Sequence, residues 1–325
     1  MKRILFFLAF SLLASAIYAA DDYRIVTIQV LKPAKQPITF TNRSVAIYST
    51  QYVTDAKNEN YVFRNDTAHS RSVAMAIKKS LEEWESLEDY DIPVYDFYAF
   101  CNGDNCDDNI ESINDYDLLI AVKEVNISSY QTAQAQYADN YGNYFSIGTY
   151  APYKVVVEVY DTDKKQFLAK ETLEDTLEWS KNVLNIQTGL KDLPSKEEGV
   201  EYAIEELGQL FTRSVVPYWI AVERFFFVPS GKDFKKAADY AEAMQWDEAM
   251  KIWTQYAGST NRKVAGQSAF NMALVCEVNG DYELALEWLA YAEKQYNIRE
   301  ISGYRAILQR RINESKMLEE QLQDL

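Results

Sequence analysis

The stretch Phe234–Tyr296, FKKAADYAEAMQWDEAMKIWTQYAGSTNRKVAGQSAFNMALVCEVNGDYELALEWLAYAEKQY, decides the fold of the C-terminal part of the chain. It reads as two copies of a helix-turn-helix pattern. In the second copy, Ala269, Met272, Ala273, Cys276, Gly280, Tyr282, Ala285, Leu289 and Ala292 set large, small and turn residues at helical spacing. In the first, Ala237, Tyr240, Trp246, Ala249, Trp253 and Tyr256 take the matching places. Alanines at close-contact positions let paired helices approach, and the large residues between them fill the grooves. Gly280 suits the tight turn because it accepts backbone angles that other residues resist.

This pattern resembles the tetratricopeptide repeat. The interval from Ala249 to Ala285 is close to the roughly 34-residue unit of that family. Met244 stands where the family favours Gly, and Tyr256 where it favours Ala. The resemblance implies a concave groove, lined by the first helix of each pair, that holds a peptide or another protein. On that basis Tyr240 and Asn271 are the candidate partner-binding residues. Two repeats bury too little surface to stand alone. Glu300–Leu325 supplies cover on one side, with Ile301, Tyr304, Ile307, Leu308 and Ile312 on one helical face.

Upstream, the pattern changes to sheet. Tyr23–Leu31, Ser44–Ser49, Ile92–Phe97, Tyr116–Val125, Tyr153–Tyr160 and Gln166–Trp179 read as strands. The unbroken apolar centre of Tyr116–Val125 points to burial on both faces. Asn126–Gln136 reads either as its continuation or as its ragged end, and Ala138–Gly148 as a hairpin loop. Thr50–Asp66 reads as a polar loop. Ala68–Leu87 has a helical stripe of Val73, Ile77, Leu81 and Trp84. Ser195–Val216 is a second helix, opened by a capping-box pair, Ser195 and Glu198, and limited by Pro217. Arg224–Ser230, RFFFVPS, reads as an apolar connector between two domains. The expected fold is therefore α+β or α/β: a mixed sheet domain with flanking helices over residues 21–230, then an all-α helical-repeat domain over 231–325.

The stretch IVTIQVLKPAKQPITFTNRSVAIYS (Ile25–Ser49) resembles the start of an uncharacterised family of Gram-negative envelope proteins, many of them lipoproteins. Leu31, Pro33, Ala34, Arg43, Ser44, Val45 and Ala46 carry the likeness. In that family, tetratricopeptide-like helices follow the sheet domain.

The first twenty residues have the grammar of a secretory signal peptide. Lys2 and Arg3 precede an apolar run, Ile4–Ile17, and small residues end at Ala19–Ala20. No Cys stands near the cleavage point, so no lipid-attachment site is visible, and no later stretch has the length and apolarity of a membrane span. The expected location is periplasmic or outer-membrane-associated. In that oxidising setting, Cys101 and Cys106 around a short Gly-containing loop read as a disulfide.

A formal net charge of −16 argues against nucleic acid and anionic lipid as partners. The chain has a single His, His69, and no phosphate-binding glycine motif, so no nucleophile-base pair or nucleotide cradle is indicated. No metal or cofactor is expected. The sequence points to a non-catalytic envelope scaffold holding a protein or peptide through the repeats and the junction between domains. The alternative is a glycan or peptidoglycan binder using the Tyr-rich stretch 130–153, where Tyr137, Tyr141, Tyr144 and Tyr150 alternate with Asn and Gln.

Overall fold

The computed structural model describes residues 23–53, 68–84, 91–102, 105–107, 110, 113, 115–138 and 142–323. Residues 1–22, which include the stretch expected to be a signal peptide, lie outside the described residues. In chain order the elements begin with strands β1 (Tyr23–Lys32) and β2 (Val45–Val53), helix α1 (Ser70–Glu82), and strands β3 (Val94–Asn102), β4 (Asn105–Asp107), β5 (Leu118–Ile127) and β6 (Tyr130–Ala138). Strands β7 (Gly142–Asp161) and β8 (Gln166–Val183), helices α2 (Ile186–Leu190) and α3 (Lys196–Val215), and strand β9 (Tyr218–Phe227) follow. Five helices end the chain: α4 (Lys232–Glu242), α5 (Trp246–Ala257), α6 (Arg262–Asn279), α7 (Tyr282–Gln295) and α8 (Ile301–Gln323). No helix among the described residues is long and apolar enough to cross a membrane.

The chain divides into two compact units. One comprises residues 32–218 and 317–325, the other residues 1–31 and 219–316. This division differs from the sequence boundary at 230/231, because β1 and β9 group with the helices. The physical reason is burial: Val26, Ile28 and Val30 of β1 share a core with Phe226, Ala237, Ala241 and Trp253.

The sheet unit has strand order β4-β3-β2-β5-β7-β6, with β8 paired to β7. β2 runs parallel to both β3 and β5, and the remaining pairs are antiparallel. The parallel pair β2–β3 needs a crossover, and α1 lies in it. The core lies between the sheet and two helices: Ile47, Ile120, Val122, Val155 and Val157 meet Val73, Ile77 and Leu81 of α1 and Leu207, Phe211 and Val215 of α3. The Ser195 hydroxyl accepts the Glu198 amide, and the Glu198 carboxylate accepts the Ser195 amide, so the capping box forms as its spacing implies. Leu118–Val122 is buried throughout, because a second cluster with Ala46, Tyr48 and Tyr160 covers its other face.

Several elements differ from their sequence outlines. β2 continues to Val53 into the stretch expected to be loop, and the rest of that stretch (54–66) lies outside the described residues. β3 extends through Cys101. Residues 142–148, expected in a hairpin loop, belong to the 20-residue strand β7. The stretch 126–136 contains a break, with β5 ending at Ile127 and β6 beginning at Tyr130. Pro152 of β7 lies opposite the break: its carbonyl accepts the Ser128 amide, but it has no N–H to return on that side. The RFFF stretch is not a connector but the end of strand β9.

In the helical unit α4–α5 and α6–α7 are helix hairpins, followed by α8. Helix α6 is buried without interruption from Ala265 to Glu277, so it is the unit's central rod. Gly280 closes α6 in the left-handed conformation, φ +84°. Met244, at the equivalent turn after α4, holds φ +59° with a half-exposed side chain. A left-handed L-residue is strained, so Met244→Gly is expected to raise stability by up to about 1 kcal/mol. Thermal or urea unfolding checks this, and a loss of stability would show that Met244 packing outweighs its backbone strain.

Candidate functional site

The face expected to take a partner is built by the first helices of the pairs, α4 and α6, with α8 beside them. In the structure, the chain's own two-stranded sheet, β1 with β9, lies on it. The alternation of β1 makes this possible: Val26, Ile28 and Val30 turn inward, while Ile25, Thr27 and Gln29 are outward. On β9, Phe226 meets the Trp253 ring at 5.7 Å, and Phe225 and Phe227 both meet Phe270 at 5.1 Å.

Polar contacts fasten these strands to each helix. Arg24 of β1 reaches Asp239 and Glu242 of α4, each at 2.9 Å. Arg311 of α8 donates to the Leu31 carbonyl at 2.9 Å and to the Tyr282 hydroxyl at 2.8 Å. Arg224 of β9 forks onto Glu277 of α6, with Nε to Oε2 at 2.9 Å and Nη2 to Oε1 at 2.8 Å. The Tyr304 hydroxyl donates to the same carboxylate at 2.8 Å. Burial, then the Glu277 charge, holds the Tyr304 phenol well above its ordinary value. Burial alone would lower the Arg224 pKa, but its bond to Glu277 raises it. Glu277 is thus a buried anion satisfied from two sides.

Asn271 is where sequence and structure part most clearly. Expected to face a partner, it is fully buried. Its Oδ1 accepts the Phe227 amide at 2.8 Å, and its Nδ2 donates to the Phe227 carbonyl at 2.7 Å. The side chain mimics a neighbouring strand at the end of β9, and so is not available to a partner. Tyr240 is half-buried, beside the core shared by β1, α4 and α5, with the Lys236 ammonium 5.5 Å from its ring centre. Of the remaining repeat positions, Ala237, Ala249, Trp253, Ala273, Ala285 and Ala292 are buried, whereas Trp246 and Tyr282 are half-buried. Cys276, behind this face, is a buried thiol that burial, then Asp281, pushes up to about 11.

Beside the occupied face is an opening of about 430 Å³ between β9, α6 and α8. Phe225, Phe270 and Ile307 give it an apolar lining, and Glu223, Arg299 and Glu300 supply exposed charge. Its dimensions suit an anchoring side chain rather than an extended peptide.

In the sheet unit, Cys101 and Cys106 are joined by a disulfide across β3 and β4. His69 stands at the N-terminal end of α1. Glu158 lies between Lys123 at 3.0 Å and Lys170 at 2.7 Å, a satisfied ion cluster. Among the described residues there is no group of three or more His, Cys, Asp or Glu placed to hold a metal.

The Tyr-rich stretch spans β6 and β7. Tyr130 and Tyr150 are cross-strand partners whose rings stack at 5.4 Å and 17°. The hydroxyl end of the Tyr150 ring crosses Gly148, where any side chain would collide with it. Tyr137 is 71% exposed, Tyr144 is half-buried, and Tyr141 lies outside the described residues.

Residues 108–227 match the model of DUF8603, and residues 235–318 that of DUF6340, both domains of unknown function. No curated protein matches the chain. Among solved structures, the PelC dodecamer from Paraburkholderia phytofirmans is similar at 11% identity and a TM-score of 0.26, over 59% of this chain and 98% of that one. A minor lipoprotein from Acinetobacter baumannii is similar at 10% identity and TM-score 0.20, over 52% and 89%. A DUF330 protein from Xanthomonas campestris is similar at 8% identity and TM-score 0.19, over 55% and 90%.

Asn271→Ala would leave a buried amide and carbonyl of Phe227 unpaired, and should cost about 2 kcal/mol or more of stability. Chemical denaturation measures it; a change within error would mean that water replaces the amide and the clamp is dispensable.

Proposed function

We propose that this protein is exported to the cell envelope and acts there as a non-catalytic docking protein for a protein partner. Support for export comes from the Lys2-Arg3 start, the Ile4–Ile17 apolar run and the Ala19-Ala20 end. The Cys101–Cys106 bridge is in keeping with an oxidising compartment. The helix hairpins are of tetratricopeptide type in this reading, but their inner face serves the protein's own strands. The partner therefore engages the opening beside it.

The observation that carries this reading is the opening between β9, α6 and α8. An apolar lining of Phe225, Phe270 and Ile307 with charge at its mouth is the make-up of an anchor pocket. A photocrosslinking residue at Ile307, used in intact cells, should trap one envelope protein. Ser302→Trp fills the mouth from an exposed position and should abolish that adduct while leaving the fold intact. An adduct that persists undiminished in Ser302→Trp contradicts the pocket.

A second reading, glycan binding, is favoured by the stacked Tyr130–Tyr150 pair. Thr132, Gln134, Ser146 and Ser180 share its face of the sheet by register. Tyrosine rings beside amides and hydroxyls are the amphipathic surface that sugars use. On this reading a glycan array gives binders that are lost in Tyr150→Ala; an array without binders removes it.

A further inference from the structure

Sheet edges invite pairing, and proteins guard them with shortness, charge, bulges or proline. Among the described residues, the edges at β4 and β8 are guarded in this way. β4 has three residues and is bridged to β3 by the disulfide. β8 carries Lys170, Glu174, Asp175, Glu178 and Lys181, and its register with β7 shifts between Val159 and Tyr160.

The outer edge of β6 has none of these devices. Its nine residues, YQTAQAQYA, hold no charge and no proline. Its register with β7 runs without a shift from Tyr130 opposite Tyr150 to Ala138 opposite Gly142. Ala133, Gln134, Ala135, Gln136 and Tyr137 are exposed in succession, so solvent reaches both faces of the strand. Among the described residues no strand pairs with its outer edge. An uncharged strand of this length is out of keeping with a chain of net charge −16.

We infer that β6 pairs antiparallel with β6 of a second copy of this chain, about a two-fold axis at Gln134. Two arguments select this occupant. First, a foreign strand docked on an edge gains specificity from pockets for its alternate side chains. Ala133 and Ala135 offer none, so the edge fits a strand as flat as itself. Second, copies of so acidic a protein repel one another, and can meet closely only where charge is absent. In the symmetric register, Gln134 faces the partner's Gln134, Ala133 the partner's Ala135 and Thr132 the partner's Gln136. No pair opposes like charges, and the backbone groups left open at each edge are satisfied by the other. The inference rests on the sheet unit alone and is independent of the anchor pocket.

The test uses the mature full-length protein in sedimentation velocity over a concentration series. The unmodified protein should pass from monomer to dimer. Ala135→Lys puts charge into the exposed strand and should leave only monomer, with an unchanged circular dichroism spectrum and melting temperature. Gln134→Cys should form an intermolecular disulfide on mild oxidation, because it meets its own copy. Gln136→Cys, which would face Thr132, should not. A protein that stays monomeric throughout, a dimer that survives Ala135→Lys, or equal cross-linking by the two Cys variants would overturn the inference.

Discussion

The helical unit depends on how the end of strand β9 is satisfied where no water reaches it. A buried amide and carbonyl without partners would each cost more than most side-chain contacts return. The side-chain amide of Asn271 meets both groups of Phe227. Close by, Glu277 receives the Arg224 fork and the Tyr304 hydroxyl. These contacts, all on α6, hold the strand against the middle of the helix stack. With β9 fixed, β1 has an edge to pair with, and the apolar side of the two strands completes the core around Trp253. Two helix hairpins that would be marginal alone thereby gain the surface they lack.

Much of the architecture was legible because it follows local rules. The Ser195–Glu198 spacing marks a helix start whatever surrounds it. The stripe from Val73 to Leu81 needs only one apolar side to pack against. Leu118–Val122 announces its burial by having no polar face. What could not be read depends on distant partners. Phe225, Phe226 and Phe227 show no alternation, because both faces at the end of β9 are covered, by Phe270 and by Trp253. Gly142, Asn143, Ser146 and Gly148 have loop composition, yet β6 pairs with all four, and β8 pairs with Ser146 and Gly148 from the other side, so they lie in a strand. Asn271 resembles a groove-lining polar residue until the strand it serves is known, and that strand ends 44 positions earlier. Of the positions that the likeness to a repeat family singled out, Ala237, Ala249, Trp253, Ala273, Ala285 and Ala292 are buried, but the likeness did not tell what occupies the helical face.

That occupancy changes where recognition would take place. An open groove reads an extended peptide along its length, whereas a face filled by the chain's own strands does not. The sheet unit shows the reverse case. Among the described residues, the edges at β4 and β8 carry shortness, charge or a register shift, whereas β6 is flat and uncharged. In both units the distinction between structural and available surface rests on whether backbone groups and apolar side chains are already matched within the chain.

The central claim is that β1 and β9 are integral to the helical unit rather than a ligand resting on it. Native-state hydrogen exchange followed residue by residue tests it most directly. The account predicts that the pairing amides of β1 and β9 exchange with the same opening free energy and denaturant dependence as those in the middle of α6. If β1 exchanges through a separate, low-energy opening while α6 stays protected, the strands are a detachable occupant and the account is wrong.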